Sequence, residues 1–196
     1  RSRGLGDVYK RQDIERALAV LRGGGVILYP TDTVWGIGCD ATSSEAVRKV
    51  FEIKHRPESK ALISLVGSEE MLERAIGREV PESVADFIRN APRPVTVVYD
   101  DVKGLAPELL ASDGSAGIRL TGEEYSSQLC LALGRPLVST SANISGTPAP
   151  AIFSEIPQEI IAAVDYVARW RRDYTGRSLP SMVVKASGDT ITILRP

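Results

Sequence analysis

Four short segments carry residue types that bind anions, and each follows or lies within an apolar run. They are "PTDT" at 30–33, "KHRPESK" at 54–60, Arg119 within "AGIRL", and "STSANISG" at 139–146. Lysine supplies a point charge, arginine a bidentate fork, and hydroxyls and amides supply hydrogen bonds. Such groups suit a polyphosphate or a carboxylate.

Each segment also has a simpler explanation. Thr and Asp after a strand usually make turn hydrogen bonds, and a charge run such as 54–60 is usually a solvated surface. Arg119 is either paired with an acid or directed at an anionic ligand, because an unpaired buried charge is expensive. The hydroxyls of 139–146 can equally satisfy backbone groups at a strand end. The recurrence of four such segments favours one concave anion site, without excluding these alternatives.

The common catalytic motifs are absent from the sequence. There is no phosphate loop of the G-x-x-x-x-G-K-[ST] type, and "GIGCDA" lacks the third glycine of a dinucleotide fingerprint. His55 is the single histidine, so a Ser-His-Asp triad would have to use it. Cys39 and Cys130 lie far apart, which gives no zinc motif and no disulfide framework.

The composition is that of a globular domain. Of the 196 residues, 43% are hydrophobic and 25% charged, and the net charge of −1 provides no global attraction to nucleic acid or anionic membrane. No apolar run is long enough for a membrane span, and no signal peptide is recognisable. A cytoplasmic location is therefore expected.

Helix-like and strand-like segments alternate along the chain and predict the framework that positions the four segments. Helices are predicted from an Asp13 cap to the stop at Gly23–Gly25, from a capping box at 42–45, near 68–76, 81–90 and 122–133, and late in 147–160. Strands are predicted at "VILYP", "ALISLV", "VTVVY", "AGIRL", "PLVST", "SMVVKA" and "TITIL". The alternation predicts one α/β domain over 13–196, bordering on α+β, after a disordered or artefactual tail at 1–12.

Several motifs, taken in order, resemble those of a known family. "YPTDTVWGIGCDA", "K-x-R" at Lys54 and Arg56 before "KALI", "PRPVTVV", "AGIRLT", "PLVSTSANISG" and "PSMVVKA…ILRP" together resemble the YrdC-type threonylcarbamoyl-AMP synthases in their short, single-domain form. The resemblance runs from about residue 12 to 196. It implies a twisted mixed sheet flanked by helices, with a large concave basic cleft.

The resemblance also implies a reaction. L-Threonine, bicarbonate or carbon dioxide, and ATP give threonylcarbamoyl-AMP and pyrophosphate, with Mg²⁺ expected alongside ATP and no metal ligands expected from protein side chains. A threonylcarbamoyl-transferase machinery acting on tRNA is the implied partner. Two alternatives are a non-catalytic relative that binds nucleotide or contacts RNA directly, and a carbamoyltransferase domain of a hydrogenase-maturation protein, which would carry zinc-binding cysteine pairs.

The family's functional residues carry over by position. Lys54 and Arg56 are implied to be catalytic. The implied threonine contacts are Thr33, Arg119, Ser141 and Ser181. The implied ATP contacts are Lys54, Arg56, Lys60, Ser115, Asn143 and Arg195. Two positions depart from the family pattern: Ala61 replaces a common proline, and Met182 replaces a second hydroxyl residue beside Ser181.

Overall fold

The computed structural model describes residues 2–57 and 62–196. Their strands are β1 (Ile27–Tyr29), β2 (Gly36–Gly38), β3 (Ile63–Val66), β4 (Val95–Tyr99), β5 (Ala116–Leu120), β6 (Leu137–Ser141), β7 (Tyr166–Val167), β8 (Met182–Ser187) and β9 (Thr190–Arg195). They form one sheet in the order β7-β1-β2-β6-β3-β5-β4-β8-β9, with parallel and antiparallel pairs mixed. The predicted α/β class with a mixed sheet is confirmed.

The helices are α1 (Ser2–Arg22), α2 (Ser44–Lys54), α3 (Glu69–Ile76), α4 (Glu82–Asn90), α5 (Glu124–Leu133) and α6 (Gln158–Ala163). The predicted stop of α5 is confirmed, because Gly134 takes the left-handed conformation (φ 73°) that closes a helix at little steric expense. Among the described residues, no helix combines the length and the apolar character needed to cross a bilayer.

The first helix differs from its prediction. The sequence places Asp13 at a helix start and a disordered tail before it, but α1 runs through residues 2–22 without a break. Asp13 lies inside the helix and accepts hydrogen bonds from the backbone N–H groups of Arg169 and Trp170, both at 2.8 Å. Lys10 is buried, contacts Glu124 and lies 5.5 Å from the Trp170 ring centre, so the added turns have packing partners.

The second helix begins one residue later than a capping box at 42–45 would require. Ser43, not Thr42, is the cap: its side chain accepts from the backbone N–H of Ala46 at 3.2 Å. Thr42 is used elsewhere, because its hydroxyl donates to Asp40 at 2.7 Å. The helix ends at Lys54, where His55 adopts a left-handed conformation (φ 52°) just before Pro57.

The register of the central strands puts the candidate site residues on one face of the sheet. Residues directly opposite each other on paired strands share a face, as do residues two apart on one strand. On β3, Ile63 is opposite Ser139, and Leu65, two residues further on, is opposite Arg119. Thr96 is opposite both Arg119 and Val183. Val183 is in turn opposite Arg195. Ser139, Arg119 and Arg195 therefore face the same side, although they come from three distant parts of the chain.

Strand β2 was not predicted, because "GIG" lacks the β-branched and aromatic residues typical of strands. Its glycines instead make room for a neighbour. A Cβ on Gly38 would lie 2.5 Å from the Tyr29 ring and 2.5 Å from the carbonyl oxygen of Val138. The Tyr29 hydroxyl donates to that same carbonyl at 2.9 Å, so the ring covers the glycine strand and ties β1 to β6.

Gly38→Ala is expected to lower the free energy of unfolding by about 1–3 kcal/mol, because the added methyl overlaps backbone as well as side chain. Gly122→Ala is the matched control: a Cβ there meets no atom within 4 Å, and little change is expected. Urea denaturation of both variants measures the difference. Equal stability of the two would contradict the close packing of β2 against Tyr29 and β6.

Candidate active site

A cavity of about 570 Å³ opens on the face that carries Ser139, Arg119 and Arg195. Its volume lies within the usual range of small-molecule sites, about 300–1,000 Å³. The predicted residues that line it are Thr33, Arg56, Arg119, Ser141, Ser181 and Arg195. Among the described residues of its wall, none is acidic, so its fixed charges are cationic. The large basic cleft that the family resemblance implies stays a prediction.

Arg119 is held by a buried carboxylate behind the cavity. Its Nε donates to Asp32 Oδ1 at 3.0 Å, its Nη2 lies 2.9 Å from the same oxygen, and its Nη2 donates to Thr33 Oγ1 at 3.2 Å. The side chains of Arg119 and Asp32 are only 5% and 9% exposed. Of the two alternatives left open by the sequence, the pairing with an acid is confirmed. Arg119 also lines the cavity, but its contact with an anionic ligand stays a prediction.

A chain of hydroxyl contacts continues from Arg119 to the last strand. Arg119 Nη1 is 3.4 Å from Thr96 Oγ1, and that hydroxyl is 2.8 Å from Ser181 Oγ. Arg195 donates from Nη2 to the carbonyl oxygen of Ser181 at 2.7 Å and from Nε to the same oxygen at 3.1 Å. Three of the residues predicted to bind threonine therefore share one hydrogen-bonded network with Arg195; they are Thr33, Arg119 and Ser181.

Asp32 and Thr96 are site residues to which the sequence analysis assigns no role. Asp32 lies in "PTDT", where the sequence indicates only a polar turn. Thr96 lies in a predicted buried strand and is 1% exposed. The one signal in the sequence is a hydroxyl between two valines of an otherwise apolar strand, because a buried polar group requires a partner.

Arg56 follows α2 and lines the cavity. Partial burial lowers the pKa of Arg56 below the usual value for arginine, and the guanidinium stays charged because that usual value is so high. Arg56 also lines an adjoining open groove with Phe51 and His55. Arg56 is therefore a cation that lines both the cavity and the groove.

Lys54 does not line the cavity. Its side chain is buried, 1% exposed, and Nζ donates to the backbone carbonyl oxygens of Ser141 and Asn143 at 2.6 and 2.9 Å and to Asn143 Oδ1 at 3.1 Å. Asn143 is engaged as well: Oδ1 accepts from Ser141 Oγ at 2.5 Å, and Nδ2 donates to the carbonyl oxygen of Thr147 at 2.7 Å. These two predicted ATP ligands lie behind the wall that Ser141 forms.

The remaining predicted ligands are not brought to the cavity or cannot be placed. The Ser115 hydroxyl donates to Asp113 Oδ1 at 2.6 Å, and this hydrogen bond is the main reason that the pKa of Asp113 is lowered. Ser115 is buried and is not part of the cavity wall. Lys60, and the departure from the family pattern at Ala61, lie outside the described residues. The roles of these residues stay predictions.

Other reactive groups of the described residues give no competing site. A cavity of about 660 Å³ lies between α1 and residues 169–173, but its wall contains none of the predicted ligands and mixes arginines with Asp13 and Asp173. Burial raises the pKa of the Cys39 and Cys130 thiols, so neither is an activated nucleophile. No cluster of three or more potential metal ligands occurs in the parts of the chain that the structure describes.

A pH dependence of stability follows from the environment of Lys54. Burial, assisted by the positive charge of Arg56, lowers the pKa of Lys54 to about 8, against about 10.4 for an unfolded lysine. Between these values the unfolded state binds more protons than the folded state, so the free energy of unfolding rises with pH. Urea denaturation from pH 7.5 to 10 is expected to show wild-type protein gaining stability relative to Lys54→Met. Parallel pH profiles would contradict the lowered pKa.

Comparison with known proteins places this geometry in a family. The Sua5/YciO/YrdC family model, described as "Telomere recombination", matches residues 19–196. A curated "Threonylcarbamoyl-AMP synthase" of Vibrio parahaemolyticus is 34% identical over 185 residues, which cover 93% of this chain and 98% of that protein.

Solved structures agree with this match. P. abyssi Sua5 complexed with L-threonine has a TM-score of 0.80 at 28% identity; the match covers 93% of this chain but only 53%, about half, of the P. abyssi chain. E. coli YciO has a TM-score of 0.79 at 25% identity, covering 95% of this chain and 89% of YciO. A sequence match over nearly the whole chain and a shared fold lead to one conclusion: the chain belongs to the Sua5/YciO/YrdC family.

Proposed function

We propose that the protein synthesises threonylcarbamoyl-AMP from L-threonine, bicarbonate or carbon dioxide, and ATP, with release of pyrophosphate. The observation that carries this proposal is the cavity that gathers Arg56, Arg119, Arg195 and the hydroxyls of Thr33 and Ser181. The curated relatives named threonylcarbamoyl-AMP synthase and the solved Sua5 complex with L-threonine support the choice of substrates.

The chemistry suits a cavity that offers cations and hydroxyls instead of an acid–base pair. A threonine carbamate attacks the α-phosphorus of ATP through an oxygen of its carbamate group, the new O–P bond forms, and the bond to pyrophosphate breaks. Carboxylate, carbamate and triphosphate are all anionic, so the protein must hold like charges together and stabilise the charge that develops in the transition state. Arginines in a partly water-excluded cavity do this without a nucleophilic side chain.

The residues of the cavity would serve different substrates. Arg119, hydrogen-bonded to Asp32 and Thr33 and linked to Ser181 through Thr96, would bind the threonine carboxylate. Arg56 and Arg195 would bind ATP. Ser141, at the end of β6, would contact the amino acid.

Mg²⁺ belongs to the substrate in this proposal. The described wall of the cavity offers no carboxylate, so it does not suit a Mg²⁺ ion bound directly by side chains. The ion would enter on the triphosphate, and the arginines would share the neutralisation of its oxygens. Downstream, a threonylcarbamoyl-transferase machinery would pass the product to tRNA.

The test is pyrophosphate release by the purified protein with Mg²⁺-ATP, with threonine and bicarbonate each added or omitted. Release that needs both is the expected outcome. Folded protein that binds ATP but releases no pyrophosphate would refute the synthase activity and favour the non-catalytic relative. RNA affinity that falls steeply with salt would then be the next observation to seek.

Arg56→Ala is expected to reduce pyrophosphate release by about 100-fold or more, because it removes a cation from the developing negative charge. Arg89→Ala is the matched control, since Arg89 is a half-exposed arginine in surface ion pairs with Glu69, Glu82 and Asp86. Initial rates at saturating substrates give the ratio. Near wild-type turnover of a folded Arg56→Ala protein would remove Arg56 from the catalytic role.

Arg119→Lys is expected to raise the KM for threonine by about tenfold or more while ATP affinity stays within about twofold. Lysine keeps the positive charge but lacks the planar guanidinium group, which can bind Asp32 and the threonine carboxylate at the same time. Arg135→Lys is the control, because Arg135 forms an Arg–Asp pair with Asp40 at 2.9 Å outside the cavity. An unchanged threonine KM in Arg119→Lys would show that the carboxylate binds elsewhere.

A further inference from the structure

We propose that Lys54 is a positioning residue, which holds the loop 141–147 in shape for both substrates instead of contacting the triphosphate. This inference concerns the cavity of the proposed synthase and rests on that function where substrates are concerned. It reassigns a residue for which the family resemblance implies direct ATP contact.

The hydrogen-bond capacity of Nζ is the first argument. A lysine ammonium has three N–H donors and no acceptor. The three acceptors are the carbonyl oxygens of Ser141 and Asn143 and Asn143 Oδ1, at 2.6, 2.9 and 3.1 Å. All three donors are therefore used within the protein. Lys54 can donate to a phosphate oxygen only if one of its three hydrogen bonds to the loop breaks.

The backbone of Lys54 holds the same loop. Its carbonyl oxygen accepts from the backbone N–H of Ser145 at 2.9 Å. The loop closes on itself as well, since the N–H of Asn143 donates to the carbonyl of Ser141 at 2.9 Å and that of Thr147 to Ile144 at 3.0 Å. The end of α2 is thus joined to the strand end of β6 at both the backbone and the side chain of one residue.

The position of the loop explains why this matters for both substrates. Ser141 lines the cavity, and its hydroxyl donates to Asn143 Oδ1 at 2.5 Å, the oxygen that also accepts from Lys54. A change at Nζ is therefore transmitted to the Ser141 hydroxyl through one shared acceptor. Arg56, two residues further on, supplies the cation that does line the wall.

The lowered pKa of Lys54 agrees with this role. Desolvation disfavours its charged form in the folded protein, although that form is the one that matches three acceptors.

Amide hydrogen exchange tests the proposal without any substrate. In Lys54→Met the amides of Asn143, Ser145 and Thr147 are expected to lose protection by about tenfold or more, the scale of losing charge-assisted hydrogen bonds. Amides of β5 should keep theirs. Lys49→Met is the matched control, because Lys49 lies on the same helix and its Nζ donates to the backbone carbonyl of Gly24 at 3.1 Å.

Calorimetric titration then separates positioning from phosphate contact. Lys54→Met is expected to weaken the binding of threonine and of ATP by about tenfold each, whereas Arg56→Met weakens ATP binding alone. Weakened ATP binding with threonine affinity and loop protection intact would overturn the proposal and make Lys54 a phosphate ligand. Lys54→Gln, which is neutral and polar, repeats both measurements. Failure of both variants to fold would also overturn the proposal, because Lys54 would then be required for folding as a whole and not specifically for the loop 141–147.

The two proposals fail separately. If the wild-type protein bound neither threonine nor ATP, the proposed function would fall, while the exchange measurement would still decide whether Lys54 holds the loop.

Discussion

The buried ion pair between Arg119 and Asp32 is the interaction on which the site depends. It joins the loop after β1 to the fourth of the five residues of β5, and these two elements are separated in the sheet by three other strands. Charges this well shielded from water are tolerated only with good geometry and further hydrogen bonds, and here Thr33 and Thr96 provide them. Because Thr96 also contacts Ser181, and Arg195 contacts Ser181 in turn, one pair fixes the relative positions of four chain segments.

The same pair also affects the charge of the cavity. Asp32 is not part of the described wall, but it compensates the charge of Arg119, so the cavity has less net positive charge near Arg119 than its lining suggests. In the proposed function, this compensated part of the cavity would bind the zwitterionic amino acid.

Elements with a strong hydrophobic periodicity and clear turn or stop residues at their ends could be predicted from the sequence. The amphipathic helices α3 and α4 and the apolar strands β3 to β6 fall where their patterns place them. Strands β2 and β7 could not be predicted, because a glycine pair covered by Tyr29 and a two-residue strand owe their existence to neighbours distant in sequence. The start of α1 differs because its extra turns depend on tertiary contacts of Lys10.

For the site, the residue types were predictable but their partners were not. Thr33, Arg119, Ser141 and Ser181 line one cavity. The residue types suggested one site for the first three, whereas Ser181 was included only through the family resemblance. That Lys54 turns inward while Arg56 reaches the cavity could not be read from "KHRPESK", because the left-handed residue His55 changes the chain direction between them. Asp32 and Thr96 act through cross-strand contacts, which local sequence does not encode.

The strand order has a consequence for how the protein folds. Strand β1 pairs with β7, 139 residues later at Ile27 and Tyr166, and β4 pairs with β8 at Val95 and Met182. Such long-range pairings are formed slowly, since distant segments must meet before their contacts compensate the loss of chain entropy. Ser181 and Arg195 line the cavity from the segment that forms β8 and β9, and β8 pairs with β4. The cavity wall is therefore complete only after β8 and β9 have docked beside β4, a step that depends on long-range pairing.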